Sequence, residues 1–162
     1  MKLRRYIAVL TIALVLAGWS AQAAPGQPAP PTLAEAEGFL SQVVALAQHS
    51  DFASLCAVGD LNCESGLDTA GRTNVPSAPP TVIGSRIVPT TRSGDLVSMG
   101  GLVLSMCGHD ATGALYNSEM LVFRDGPALR AINPVYWGNM GIADGGGDGG
   151  TTAASPVPRI AC

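Results

Sequence analysis

The chain has 162 residues, a formal net charge of −3 and 47% hydrophobic residues, enough for one domain around one core. Its nine basic residues are unevenly placed. Lys2, Arg4 and Arg5 open the chain, and the remaining six bases, none of them lysine, stand against twelve acids. A body so acidic has no phosphate-binding patch, which excludes nucleic acid and an anionic membrane surface as partners.

The first two dozen residues read differently from the rest. After the positive n-region, Tyr6 to Trp19 carries no charge, and Ala21-Gln22-Ala23 places small residues where a signal peptidase needs them. The apolar run is about 14 residues, short of the ~17–25 that cross a bilayer core. Residues 1–23 are therefore expected to be a cleaved signal peptide, leaving a secreted or extracytoplasmic chain with no membrane attachment after cleavage. Arg4-Arg5 lacks a preceding polar residue, and no Cys follows the apolar run, so neither a twin-arginine signal nor a lipid anchor is indicated. Cleavage would remove three bases and no acid, leaving six bases, twelve acids and a net charge of −6.

Cys56, Cys63, Cys107 and Cys162 follow the signal. An even count in an oxidising compartment reads as two disulfides. A metal site is disfavoured, because no pair has the two-residue gap of a zinc knuckle and the chain has two histidines. No metal and no cofactor are expected.

Residues 24–31 form a Pro-rich linker that sustains neither helix nor ladder. Thr32 and Glu35 make a capping box, and Leu33, Ala36, Leu40, Val43, Val44 and Ala47 then recur at helical spacing to about Gln48. Asp51 can cap a second short helix through Phe52, Leu55 and Cys56. A third is expected from Leu61 to Ala70, with Gly71 at its left-handed end. With Val58-Gly59-Asp60 turning between these helices, Cys56 and Cys63 can approach to the ~5.5 Å between Cα atoms that a disulfide needs.

From Pro79 the period changes to alternation. Strands are expected at Thr81–Val88, Leu96–Cys107, Gly113–Arg124 and Ala128–Trp137, with turns at residues 109–112 and at Asp125-Gly126. That pairing sets Cys107 opposite Gly113, Leu104 opposite Tyr116, Phe123 opposite Ala128 and Tyr116 opposite Val135. It sorts the sheet into two faces. Leu102, Leu104, Met106, Tyr116, Met120, Val122, Leu129, Val135 and Trp137 share the more apolar one, which the helices should cover. Val97, Val103, Cys107, Asn117, Glu119, Leu121, Arg130 and Tyr136 share the other. Domain 32–142 is thus expected to be a single α+β unit, three N-terminal helices packed on a curved antiparallel sheet of about four strands. Residues 143–162 are a Gly/Pro-rich tail ending in Cys162. With Cys56 and Cys63 joined, Cys107 and Cys162 remain to pair, the alternative being a Cys162 that couples to another molecule.

This order of elements resembles the cone-shaped nuclear transport factor two-like (cystatin-like) fold, shared by ketosteroid isomerase, limonene-epoxide hydrolase and small polyketide cyclases. In detail it is similar to a group of small secreted actinobacterial proteins of that fold. The residues carrying the likeness are Phe52-Ala53-Ser54-Leu55-Cys56, Asn62-Cys63, Pro79-Pro80, Glu119 to Phe123 and Asn133-Pro134-Val135-Tyr136-Trp137. Enzymes of this fold place acid/base residues around a tapering pocket on the inner sheet face.

Leu104, Tyr116, Ser118, Met120, Asn133 and Trp137 are the expected pocket-lining residues. They include a tyrosine of the oxyanion-stabilising kind but no carboxylate to serve as base. Glu119 falls on the outer face, diagonal to Arg130, as an exposed pair. His109-Asp110 is explained by turn chemistry, His49 by the dipole at a helix end, and Asp144 to Asp148 as a linker rather than a calcium repeat. No catalytic residue is assigned. The expected function is a secreted non-enzymatic domain binding a small apolar ligand or an extracytoplasmic protein. The alternatives are a subunit of a cell-envelope or conjugation assembly held by an uncleaved N-terminal helix, and a small isomerase or cyclase-like enzyme.

Overall fold

The computed structural model describes residues 28–93 and 96–142. The expected signal peptide, the first half of the expected linker, the expected tail and Cys162 lie outside the described residues. Three helices come first: α1 (Leu33–Gln48), α2 (Phe52–Ala57) and α3 (Cys63–Ala70). Thr32 accepts the Glu35 N–H while Glu35 accepts from the Thr32 backbone, the full capping box. The stripe expected on α1 is buried from Ala36 to Ala47, with Phe39 added and Leu33 left half-exposed. Asp51 caps α2 through the Ser54 N–H. α3 starts two residues later than expected, because Leu61 and Asn62 belong to the turn that the Cys56–Cys63 disulfide closes, its Cα atoms 5.4 Å apart.

Six strands follow: β1 (Thr81–Val88), β2 (Thr91–Ser93), β3 (Leu96–Ser98), β4 (Gly101–His109), β5 (Leu115–Asp125) and β6 (Ala128–Ile132). β1, β4, β5 and β6 form an open antiparallel sheet in that order, and β2 pairs with β3 apart from it. The fold is therefore α+β with a four-stranded antiparallel sheet.

Two expected strands change. Leu96–Cys107 is broken at Met99-Gly100; a Cβ on Gly100 would collide with the Thr90 backbone nitrogen and one on Gly101 with the Val122 carbonyl, so only glycine allows the chain to pass so close. The last strand stops at Ile132 rather than Trp137. Asn133 adopts a left-handed φ of 61°, and Pro134 has no N–H to continue a ladder.

The register also differs. Leu104 pairs with Met120 rather than Tyr116, and Cys107 with Asn117 rather than Gly113. Phe123 pairs with Arg130, because the two-residue loop is Gly126-Pro127, with Gly126 at φ 59°. Both shifts are even, four residues and two, so the faces survive. Leu102, Leu104, Met106, Tyr116, Met120 and Val122 pack with α1 into the main core. Val103 and Leu121 join Val88, Ile132 and Ile142 in a small cluster on the other face. Tyr136 corrects the sorting. It lies beyond the end of β6, is fully buried, and belongs to the main core.

Candidate functional site

The inner face of the sheet is filled. Leu104, Ser118 and Met120 are 0% exposed, Tyr116 1% and Trp137 3%. Tyr116 and Tyr136 approach ring to ring at 6.1 Å, and Trp137 meets Tyr136 edge-on at 5.1 Å. Trp137 donates its indole N–H to the Gly71 carbonyl at 3.2 Å, which ties the aromatic group to the end of α3. Burial pushes the Tyr136 hydroxyl up to about 12 and the Tyr116 hydroxyl higher still. Neither hydroxyl nor the Ser118 Oγ has a hydrogen-bond partner among the described residues. A tyrosine poised to stabilise an oxyanion needs an open position in front of it. Here that space is occupied by side chains. Five of the six expected pocket residues are thus brought together, but as packing.

The sixth, Asn133, lies elsewhere. Its left-handed turn sends residues 134–142 back along β5, past the point where β6 ends. Asn133 donates to the Glu119 carbonyl at 2.7 Å, the Glu119 N–H bonds the Met140 carbonyl at 2.7 Å, and Asn139 accepts from the Asn117 N–H at 3.0 Å. The segment Gly138–Ile142 therefore completes the edge that β6 leaves open.

Glu119 holds it there. This carboxylate is 5% exposed and is not the exposed partner of Arg130 that alternation suggested. Both its oxygens face the Arg86 guanidinium, the second at 3.0 Å; Ser105 donates at 3.1 Å and the Ile142 N–H at 2.9 Å. Arg86 also bonds the Ile142 carbonyl at 2.7 Å. Burial pushes the Glu119 carboxyl up, but the Arg86 and Ile142 donors and the Arg86 charge outweigh it and hold the group below its ordinary value. Arg130 instead reaches the Gly59 carbonyl at 2.7 Å and Asp125 at 3.4 Å. The signal for Glu119 was visible, a lone acid inside an apolar strand, but its partner on β1 sits two strands away and only the sheet order brings it close.

Between this closing segment and α3 lies a cavity of about 170 Å³. Asn133, Pro134, Val135, Met140 and Ile142 form one side, and Asp60, Asn62, Ser65, Gly66 and Thr69 the other. Its walls are rigidly placed. The Ala131 N–H bonds the Val58 carbonyl at 2.9 Å, Pro134 packs so tightly on Gly59 that a Cβ there would lie 2.7 Å from its ring, and the disulfide fixes α2 to α3. Asp60 Oδ1 is buried without a hydrogen-bond partner. The sequence reading missed this cavity, since its two sides are some 70 residues apart in the chain.

The remaining candidates have local explanations. Asp110 accepts from the Thr112 N–H at 2.8 Å, its hydroxyl at 2.6 Å and the Ala114 N–H at 3.0 Å, which makes it a turn residue. His49 closes α1, its ring Nδ1 bonded to the Ala45 carbonyl at 2.7 Å. No group of acidic, His and Cys side chains that could hold a metal exists among the described residues, nor any helix long and apolar enough to cross a membrane. Cys107, 2% exposed on β4, is also disulfide-bonded. No family model, curated protein or solved structure matches the chain.

Proposed function

We propose that this is a non-enzymatic extracytoplasmic domain that binds a protein partner through its surface, a nuclear transport factor two-like cone whose inner pocket is filled by its own side chains. The order of three helices and then an antiparallel sheet supports the cone. The packing of Tyr116, Met120, Leu104 and Trp137 on one another carries the function, because it leaves side chains where an apolar ligand or a reacting group would sit. The short loop disulfide suits an oxidising compartment. Native mass spectrometry of the protein recovered from the medium tests the reading. The expected species begins near Ala24 and carries no bound apolar molecule. A co-purifying lipid or hydrocarbon overturns it, as does any turnover abolished by Tyr116→Phe. A species retaining residues 1–23 and recovered from the cell membranes instead of the medium replaces it with the membrane-held assembly subunit.

A further inference from the structure

The loop that borders the cavity also carries Leu61, whose side chain is 100% exposed. A single exposed leucine is ordinary by itself; its position matters here, between Asp60 and Asn62, which both line the cavity. Beside it, Ile132, Pro134, Val135, Met140 and Ile142 supply the apolar part of the cavity wall. Its size decides what it can take. About 170 Å³ is well below the ~300–1,000 Å³ of small-molecule pockets, whereas a void of ~150 Å³ accommodates a benzene ring. One branched or aromatic side chain fits; a drug-sized ligand does not.

Charge selects among proteins that could offer such a side chain. Asp60 lies in the cavity wall, its Oδ1 buried away from solvent and its Oδ2 accepting from the Asn62 amide at 3.2 Å. Along the adjoining helix, Glu64 and Asp68 share the single cation Arg72. The body behind them has twelve acids to six bases, so a second copy would meet like charge across this surface.

We propose that the α3 cavity and Leu61 form a docking site for a basic protein segment, one aliphatic or aromatic side chain entering the cavity while a neighbouring Lys or Arg meets Asp60. This deepens the protein-binding reading above and rests on it. A buried apolar anchor ringed by a polar rim is the arrangement in which few residues carry most of the affinity.

The test uses the whole mature chain, ¹⁵N-labelled, and synthetic heptapeptides with a central Leu, Phe or Ser flanked by Lys or by Glu. The Lys-flanked Leu and Phe peptides are expected to bind saturably and to shift the amides of Gly138, Met140 and Ile142. Affinity should fall at least about tenfold with Glu flanks or a Ser centre, and about tenfold in Asp60→Asn. Gly66→Leu should abolish binding by filling the cavity. A Cβ at Gly66 meets only Val135, at 3.5 Å, and an unchanged melting temperature is required to show that the variant keeps the fold. Equal binding of Glu-flanked peptides, or shifts confined to another surface, overturns the proposal. A Leu61-dependent dimer in sedimentation without peptide binding assigns the site to a second copy. Binding that emerges only in Ile160→Ala assigns it to the chain's own tail. Silence from every peptide overturns the site while leaving the protein-binding reading to stand or fall on the native mass spectrum.

Discussion

Glu119 shows how one buried carboxylate organises its surroundings. It joins β1 through Arg86, β4 through Ser105 and the closing segment through the Ile142 N–H. Glu119→Gln keeps the shape but removes the charge opposite Arg86. A loss of about 2–3 kcal/mol in urea unfolding is expected, below the extreme for a fully buried pair because Arg86 is a third exposed. The pH dependence follows from the sign of the shift. The folded pKa lies below the unfolded one, so between the two values the unfolded chain binds more protons and stability rises with pH. The contribution is complete above the ordinary carboxylate range and is lost as pH falls through the folded value. The gap between wild type and Glu119→Gln should therefore be wide near pH 7 and narrow on acidification; a constant gap would refute the assignment. Glu35 acts in the same direction lower down, its carboxyl held at about 2 chiefly by Arg124. Tyr116→Phe makes the opposite point. Its hydroxyl is buried and unpartnered, so removing it is expected to be neutral or to stabilise by up to about 1 kcal/mol.

At the scale of elements, α2 and α3 have six and eight residues, too short to be helical alone. What keeps them is the disulfide, the Arg72 guanidinium 5.5 Å over the Phe52 ring, and the Val58 carbonyl on β6. The chain-entropy model assigns the short loop about 2.5 kcal/mol. Cys56→Ser with Cys63→Ser should cost roughly that in urea. Amide exchange should accelerate in α2, α3 and the 58–62 loop while the centre of β4 and β5 stays protected. Uniform acceleration across the sheet would show that the pair supports global stability instead. α1 carries its capping box within its own residues, but its apolar stripe shares one core cluster with Leu55 of α2 and Leu67 of α3.

For the whole molecule, the question is how the chain ends. Cys107 is disulfide-bonded, and a bridge to Cys162, which lies outside the described residues, is proposed. Closing a loop of about 55 residues removes roughly 4 kcal/mol of unfolded-state entropy. Cys162→Ser is expected to lower stability by up to that amount and to make the tail accessible to protease. The wild-type monomer should be four hydrogens lighter than its reduced form. A disulfide-linked dimer, or a Cys162 that alkylates without reduction, rejects the bridge.

Local chemistry made much of this domain readable from residues alone. Thr32 and Glu35 cap within one turn, Asp51 and Asp110 bond their own neighbours, and Cys63 is seven positions after Cys56. Alternation along the strands sorted core from surface even where the register was misjudged, since both errors were even. Tertiary structure decided the rest. Alternation ran on past Ile132, and only the left-handed Asn133 turned Tyr136 into the core. Glu119 looked exposed because its face was polar in part, until β1 brought Arg86 across β4 to meet it. The α3 cavity exists because the segment after β6 folds back against a loop some 70 residues away. Caps, turns and periods are set by neighbours in the chain, whereas burial, ion-pair partners and cavities depend on which distant strands and loops come to lie side by side.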